Sequence, residues 1–379
     1  MKRDKELNAL KEMELFRKAI EMGASDLHLS AGSSPIIRLN GKLHHLDYAA
    51  LLPEDVHEII SLITTNYQKS MFYSETPVDL DFTLEVPDLA RFRVNIFKQL
   101  NGESIAMRVL PSEIRTVEDL FLPTIVNDLS RLRNGLILVT GKTGSGKSTT
   151  LATMLELVNK EYYKHIITIE DPIEFVYKPK KCLINQREVG MHTPDFATAL
   201  RSALREDPDI VMIGEIRDVE TAEMALKAGQ MGALILSTLH TRNTYETINR
   251  LITLFPADQR ANVKNQFADV IQGVICQSLI PRRDKKGRIV CCELMLGTPA
   301  VKNLIREDKL HLIYSTIQLG SHEGMCTMEQ SLIRLLNQGI IDLEDALMIA
   351  NNKKAFLSEI SSQQEESFTK SELTLEELG

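Results

Sequence analysis

The chain has 379 residues, enough for two or three domains, and its 43% hydrophobic and 25% charged content is that of a core-forming protein, not a fibrous or disordered one. Forty-four basic against 52 acidic residues leave a net charge of -8, which argues against broad coating of nucleic acid. The five cysteines, Cys182, Cys276, Cys291, Cys292 and Cys326, are odd in number and lack C-x-x-C spacing, so neither a disulfide framework nor a four-cysteine zinc site is expected.

The opening stretch MKRDKELNALKEMELFRKAI is charged throughout and has no apolar core, so it does not read as a signal peptide. No run is long and apolar enough to span a bilayer, which places the expected action in the cytoplasm or on a membrane-bound partner reached from that side. Residues 10–22 read as an amphipathic helix closed by Gly23. Alternating strands follow at 26–30 (DLHLS) and 35–41 (PIIRLNG), the latter ending in an Asn40-Gly41 turn. A helical stretch begins at Pro53 and runs to about residue 66. Three further alternating segments, 78–85, 91–97 and 104–110, imply a sheet buried on one face, with Asn101-Gly102 turning between the last two. The expected first domain is α+β and covers residues 1–110.

Residues 111–120 read as a linker. Beyond it, GLILVT, HIITIE, DIVMIG and ALILSTL are short Ile, Leu and Val runs of the kind covered on both faces. Helical patterns at 149–159, 196–205, 219–228 and 244–254 alternate with them, giving the rhythm of an α/β sheet domain. Residues 300–350 are mostly helical in pattern. The second domain is expected over 121–358, with an acidic tail at 359–379.

GLILVT leads into GKTGSGKSTT, a full match to G-x-x-x-x-G-K-[ST] between a buried strand and a helix. Glycines let the backbone wrap a phosphate chain, and amides at the helix start point at the anion. Gly141, Lys142, Thr143, Gly144, Ser145, Gly146, Lys147, Ser148 and Thr149 are therefore the candidate nucleotide-binding residues. Lys147 is expected to reach the β and γ phosphates of ATP, and the Ser148 hydroxyl to meet Mg²⁺.

Downstream acids narrow the chemistry. ITIEDPIEF places Glu170, Asp171 and Glu174 after a buried strand, at the end that faces the ligand crevice. One of them can polarise the attacking water and another can organise Mg²⁺. In DIVMIGEIRD the acid of the strand end is Glu215. His240, after a third strand, either senses the γ phosphate, fixes a catalytic carboxylate, or is structural. Arg91, Arg93 and Arg108 lie on strands of the first domain, where they either supply positive charge to the nucleotide or form a solvated face.

These segments together resemble a known family. ASDLHLS at 24–30, RFRVN at 91–95, GKTGSGKSTT at 141–150, TIEDPIEF at 168–175, LRSALREDPD at 200–209, GEIRD at 214–218 and STLHT at 237–241 resemble the secretion superfamily ATPases, in particular their PilT-like branch of type IV pilus retraction motors. The resemblance covers roughly residues 5–355. It implies a PAS-like N-terminal domain followed by a RecA-like P-loop NTPase core with a helical C-terminal portion. It implies a homo-hexamer at the cytoplasmic, inner-membrane base of the pilus, working against a platform protein, with a second pilus ATPase as a further partner and no direct nucleic-acid contact. Glu174 would be the general base of the acidic box, Glu215 the Walker B glutamate and His240 a member of the histidine box. Lys147 would act in catalysis, and Arg91, Arg93 and Arg108 fall in the region that supplies arginines to the nucleotide. Ser148, Glu170, Asp171 and Glu215 are the expected magnesium-side groups.

Extension motors of pili and type II secretion share the nucleotide motifs but usually carry a longer N-terminal region and a four-cysteine module. GTPAVKNLIRE at 297–307 resembles instead the retraction branch's signature, with Val301 and Lys302 where Ile and Arg are typical. Ala233 replaces an earlier histidine of the histidine box; alanine cannot hydrogen-bond a phosphate, so weaker turnover or a role shared with a partner ATPase is expected. An accessory retraction or extension motor, a ring translocating nucleic acid, a small-molecule kinase and a non-hydrolysing scaffold are the alternatives.

Overall fold

The protein is described by a computed structural model covering residues 14–39, 41–74, 76, 78–110 and 113–361. The start of the helix expected at 10–22, Asn40, Pro111 and most of the expected tail lie outside these residues. The chain divides into two compact units. The first comprises the described residues up to Ile114 together with Asp171–Val176; the second comprises Arg115–Glu170 and the residues from Tyr177 onward.

In the first unit, apolar residues at every second position bury one face of an antiparallel sheet. In β4 (Leu80–Val86), Leu80, Phe82, Leu84 and Val86 point inward. In β5 (Ala90–Gln99), Phe92, Val94 and Ile96 do the same. With β1 (Asp26–Ser30), β2 (Ile36–Leu39), β3 (Lys42–His45) and β6 (Gly102–Leu110) they form six strands in the order β3-β2-β1-β6-β5-β4. The core adds Phe16, Leu27, Leu29, Ile37 and Ile60, and Phe16 meets Phe92 edge-on at 5.9 Å between ring centroids. Each such side chain contributes about 1.5–3 kcal/mol on full burial. The helical stretch begun by Pro53 is two helices, Pro53–Ile63 and Asn66–Phe72. Thr65 separates them: its hydroxyl accepts from the Gln68 amide, and the Gln68 side chain returns to the Thr65 amide, closing a capping box.

The second unit is built on a seven-stranded sheet in the order β13-β12-β7-β11-β10-β8-β9. Its strands are β7 (Gly135–Thr140), β8 (His165–Glu170), β9 (Leu183–Glu188), β10 (Ile210–Ile213), β11 (Leu234–Leu239), β12 (Ile271–Pro281) and β13 (Arg288–Leu296). Residues of β7, β10 and β11 are buried without interruption, as strands covered on both faces require. Neighbours from β12 through β9 pair in parallel; only β12 and β13 form an antiparallel hairpin. β11 separates β7 from β10, so the carboxyl ends of all three open on one edge of the sheet. β12 pairs with β7 as far as Cys276–Thr140 and then continues to Pro281, carrying Gln277, Ser278 and Leu279 past the end of β7. This mixed α/β unit has the topology of P-loop nucleoside triphosphatases. A helical region follows it, with Met328, Leu332, Ile341 and Phe356 packed on Ile280, Ile289 and Cys291.

Among the described residues no helix is long and apolar enough to cross a membrane. All five cysteines are free thiols.

Candidate functional site

The phosphate loop leaves β7 at Thr140 and enters the helix Lys147–Glu161. Gly141 adopts φ +142°, and a Cβ there would lie 2.3 Å from the Gln277 carbonyl oxygen and 2.5 Å from Ser145 Oγ. Only glycine admits that approach. Gly146, left-handed at φ 91°, turns the chain into the helix and leaves the first-turn amides without an intrahelical acceptor. Lys147 is buried, and its Nζ donates to the carbonyls of Gly141 at 3.0 Å and Lys142 at 3.3 Å. The ammonium is thus held within the curl of the loop. Lys142, Thr143 and Gly144 form the loop's exposed crest, and Ser148 and Thr149 are half-buried in the first helical turn. Gln277 Nε2 donates to the Ser145 carbonyl at 3.2 Å. Ser145 Oγ and Gln277 Oε1 are buried without a hydrogen-bond partner. A glycine cradle, a buried ammonium and unsatisfied polar atoms in its wall fit a phosphate chain with a hard divalent cation.

A cleft of about 490 Å³ opens over the loop. Its walls are Gly141–Ser145, the overhanging Gln277, Ser278 and Leu279, Arg242, Arg288, Met328 and residues 348–351. Arg242, Arg288 and the 348–351 segment were not among the residues singled out in the sequence. Arg242 lies two positions after His240, and Arg288 follows Gly287 of the β12–β13 turn, but neither position carries a motif.

The acids of the second unit stand at neighbouring strand ends. Glu170 closes β8 and is buried, accepting from Thr168 Oγ1 at 2.7 Å and Gln186 Nε2 at 3.2 Å. Glu215 lies two residues beyond β10. The turn before it is pinned by Gly214 N–H donating to Ile169 O at 2.8 Å and by Thr238 Oγ1 donating to Gly214 O at 2.6 Å. Ile216 N–H in turn donates to the Thr238 carbonyl at 3.1 Å, tying the Glu215 turn to β11. His240 follows β11, and its Nε2 is 3.4 Å from Glu215 Oε2. Arg217, the arginine of the GEIRD segment, grips the same carboxylate in a fork: Nε to Oε1 and Nη2 to Oε2, both 2.9 Å. Burial alone would raise the Glu215 carboxyl, but the Arg217 hydrogen bond and charge, with His240, outweigh it and hold the carboxyl below its ordinary 4.5.

Ala233 lies at the opposite end of this sheet. Its carbonyl accepts from Gly135 N–H at 3.1 Å, where β7 begins, while the phosphate loop starts where β7 ends. Six strand residues separate the two ends, about 20 Å. The substitution of histidine by alanine therefore does not touch the phosphate loop of the same chain.

The remaining candidates belong to the first unit. Arg91, Arg93 and Arg108 share one sheet face, with Arg93 directly opposite Arg108 across β5 and β6. Like charges in that register repel, and carboxylates answer each of the two. Arg93 makes a fork with Asp81, Nε to Oδ1 at 3.2 Å and Nη2 to Oδ2 at 2.7 Å, and Arg108 Nε donates to Asp26 Oδ1 at 2.9 Å. Arg91 donates to the backbone carbonyls of Ile173 and Glu174, each at 3.4 Å, and Thr83 Oγ1 donates to Ile173 O at 3.3 Å. The acidic segment Asp171–Glu174 is thereby laid against β4 and β5, leaving the half-buried Glu174 side chain free of the bonds that fix its backbone. A cis peptide at Asp171-Pro172 turns the chain out of β8 into this segment.

Comparison with known proteins places these features in context. The family model described as Type II/IV secretion system protein matches residues 2–348. The chain is 47% identical over 333 residues to the type IV pilus retraction ATPase PilT of Pseudomonas aeruginosa, covering 88% of this chain and 96% of that one. It is 37% identical over 339 residues to the type IV pilus ATPase PilU of the same organism, covering 89% and 88%. Among solved structures, that of the pilus retraction motor PilT with bound ADP superimposes with a TM-score of 0.84 at 43% identity, covering 92% of this chain and 98% of that one.

Proposed function

The chain belongs to the Type II/IV secretion system protein family, and from that premise we propose that it is an ATP-hydrolysing motor that powers type IV pilus retraction. The observation that carries the proposal is the loop at Gly141–Ser148, where a glycine that tolerates no Cβ and a buried lysine shape a phosphate cradle. Its relatives at 47% and 37% identity are a pilus retraction ATPase and a pilus ATPase. The higher identity to the former favours retraction, and the lack of a four-cysteine module speaks against an extension motor.

In this reading the loop amides and Lys147 bind the β and γ phosphates and hold them oriented. Ser148, Glu215, Glu170 and Asp171 are the groups that would hold Mg²⁺. Bound there, the cation supplies positive charge against the phosphoryl oxygens as the transition state develops. Glu174 takes the proton of the attacking water. His240 orients Glu215, and Arg217 keeps that carboxylate ionised. Arg91 positions the Glu174 backbone rather than acting from solution. The first unit is PAS-like and the second RecA-like, six copies forming a ring on the cytoplasmic side of the inner membrane against the pilus platform protein, with a second pilus ATPase as a further partner. ATP-driven displacement of the domains would return pilin subunits to the membrane.

The test is ATP hydrolysis by the purified chain, compared with Lys147→Ala. Magnesium-dependent phosphate release that disappears in the variant supports the reading; its absence from the wild-type chain, assembled and supplied with Mg²⁺, would overturn it.

A further inference from the structure

Several arginines of the second unit are held by carboxylates. Arg217 grips Glu215, Arg131 grips Glu161, Arg282 grips Asp284 and Arg283 reaches Asp342 at 3.3 Å. The two arginines that line the cleft over the phosphate loop, Arg242 and Arg288, are not: among the described residues neither guanidinium has a carboxylate or carbonyl partner. The carboxylate nearest in sequence to Arg242, Glu246, is occupied in accepting from the Arg242 backbone amide at 3.0 Å. The two side chains come from different elements, Arg242 from the turn after β11 and Arg288 from the first position of β13. With Lys142 on the loop crest they place three cations around one cleft with no acid in its lining. Cations gathered at one cleft favour an anion there, and a guanidinium fork matches phosphate oxygens in pairs.

We propose that Arg242 and Arg288 are substrate-binding residues that hold the phosphate chain of the nucleotide from the side opposite the loop. The inference rests on the reading of the chain as an ATPase. The loop contacts the phosphates through backbone amides and Lys147, and the two arginines close the cleft over them within the same chain. Leu279, Met328 and Met348 form the apolar part of the lining, which leaves room for the uncharged end of the ligand. The cationic wall is thus a feature of affinity for polyphosphate and not of recognition of a base.

The experiment measures binding of Mg·ATP, in the form of a non-hydrolysable imidodiphosphate analogue, and of adenosine to the full chain by calorimetry. The variants are Arg242→Gln, Arg288→Gln and Arg288→Lys, with Arg283→Gln as a control for removal of a paired surface arginine. The expected result is affinity for the triphosphate weakened roughly tenfold by each glutamine variant. Arg288→Lys should recover part of the loss, adenosine binding should be unchanged throughout, and Arg283→Gln should match wild type. Both glutamine variants are at exposed positions, and matching melting curves establish that they fold. Wild-type triphosphate affinity in both glutamine variants would overturn the inference while leaving the ATPase reading intact. Failure of the wild-type chain to bind the analogue at all would overturn the reading on which it rests.

Discussion

His240 Nε2 and Glu215 Oε2 stand 3.4 Å apart, on turns that follow two adjacent parallel strands. Of the roles open to that histidine, fixing a carboxylate is the one its position supports. Replacing His240 with Ala should therefore act through Glu215, lowering kcat for ATP hydrolysis by roughly ten- to a hundredfold with little change in nucleotide affinity. Steady-state kinetics and equilibrium binding on the same preparation check it; a variant that loses affinity in step with turnover would point to direct phosphate contact instead.

Glu174 is held by its backbone and not by its carboxylate. Glu174→Gln keeps the carbonyl that Arg91 binds and removes only the proton acceptor. Hydrolysis should fall by about 10²–10⁴-fold while ATP binding persists. Surviving turnover would mean that another acid, with Asp171 the first candidate, activates the water.

The Glu215 carboxyl is depressed in the folded chain. A depressed acid contributes stability above its unfolded value, and that contribution is lost as pH falls through the lower folded value. Wild type should therefore melt above Glu215→Gln near neutral pH, and the gap should close as pH drops below the ordinary carboxylate value of 4.5. Thermal melts across that range decide it; a gap that widens in acid would mean that the ion pair with Arg217 does not stabilise the fold.

Gly141→Ala forces a methyl to within 2.3 Å of the Gln277 carbonyl, at a φ of +142° that L residues avoid. The backbone of β12 or the loop must move, at a cost of about 1–3 kcal/mol. A lower melting temperature with loss of nucleotide binding is expected. Ala233→His, at the far end of the same strand pair, should leave ATP affinity within about twofold.

Much of this was legible in the sequence where one physical constraint dominated. β4, β5 and β6 alternate because one sheet face is buried, and β7, β10 and β11 read as unbroken apolar runs because both are. The phosphate loop was legible because its spacing is itself the mechanism. β3 was not, since all four of its residues are exposed and leave no pattern. The β12–β13 hairpin leaves no such signal: Gly273, Gln277 and Ser278 interrupt its apolar run, and the buried Gln277 meets the loop through its bond to the Ser145 carbonyl. Arg242 and Arg288 depend on which strand ends meet, and sequence spacing does not encode that; Arg217 stands in the GEIRD segment, but its fork onto Glu215 two residues away is set by the turn's backbone. Arg91, Arg93 and Arg108 were legible as a basic face, but their carboxylate and carbonyl partners were not.

The most direct test of the central claim is pilus retraction, followed by live fluorescence in a deletion strain complemented with wild type or with Lys147→Ala. The account predicts long, non-retracting pili that regain retraction only with the wild-type chain. Retraction restored equally by Lys147→Ala, or loss of all pili in the deletion strain, would contradict it.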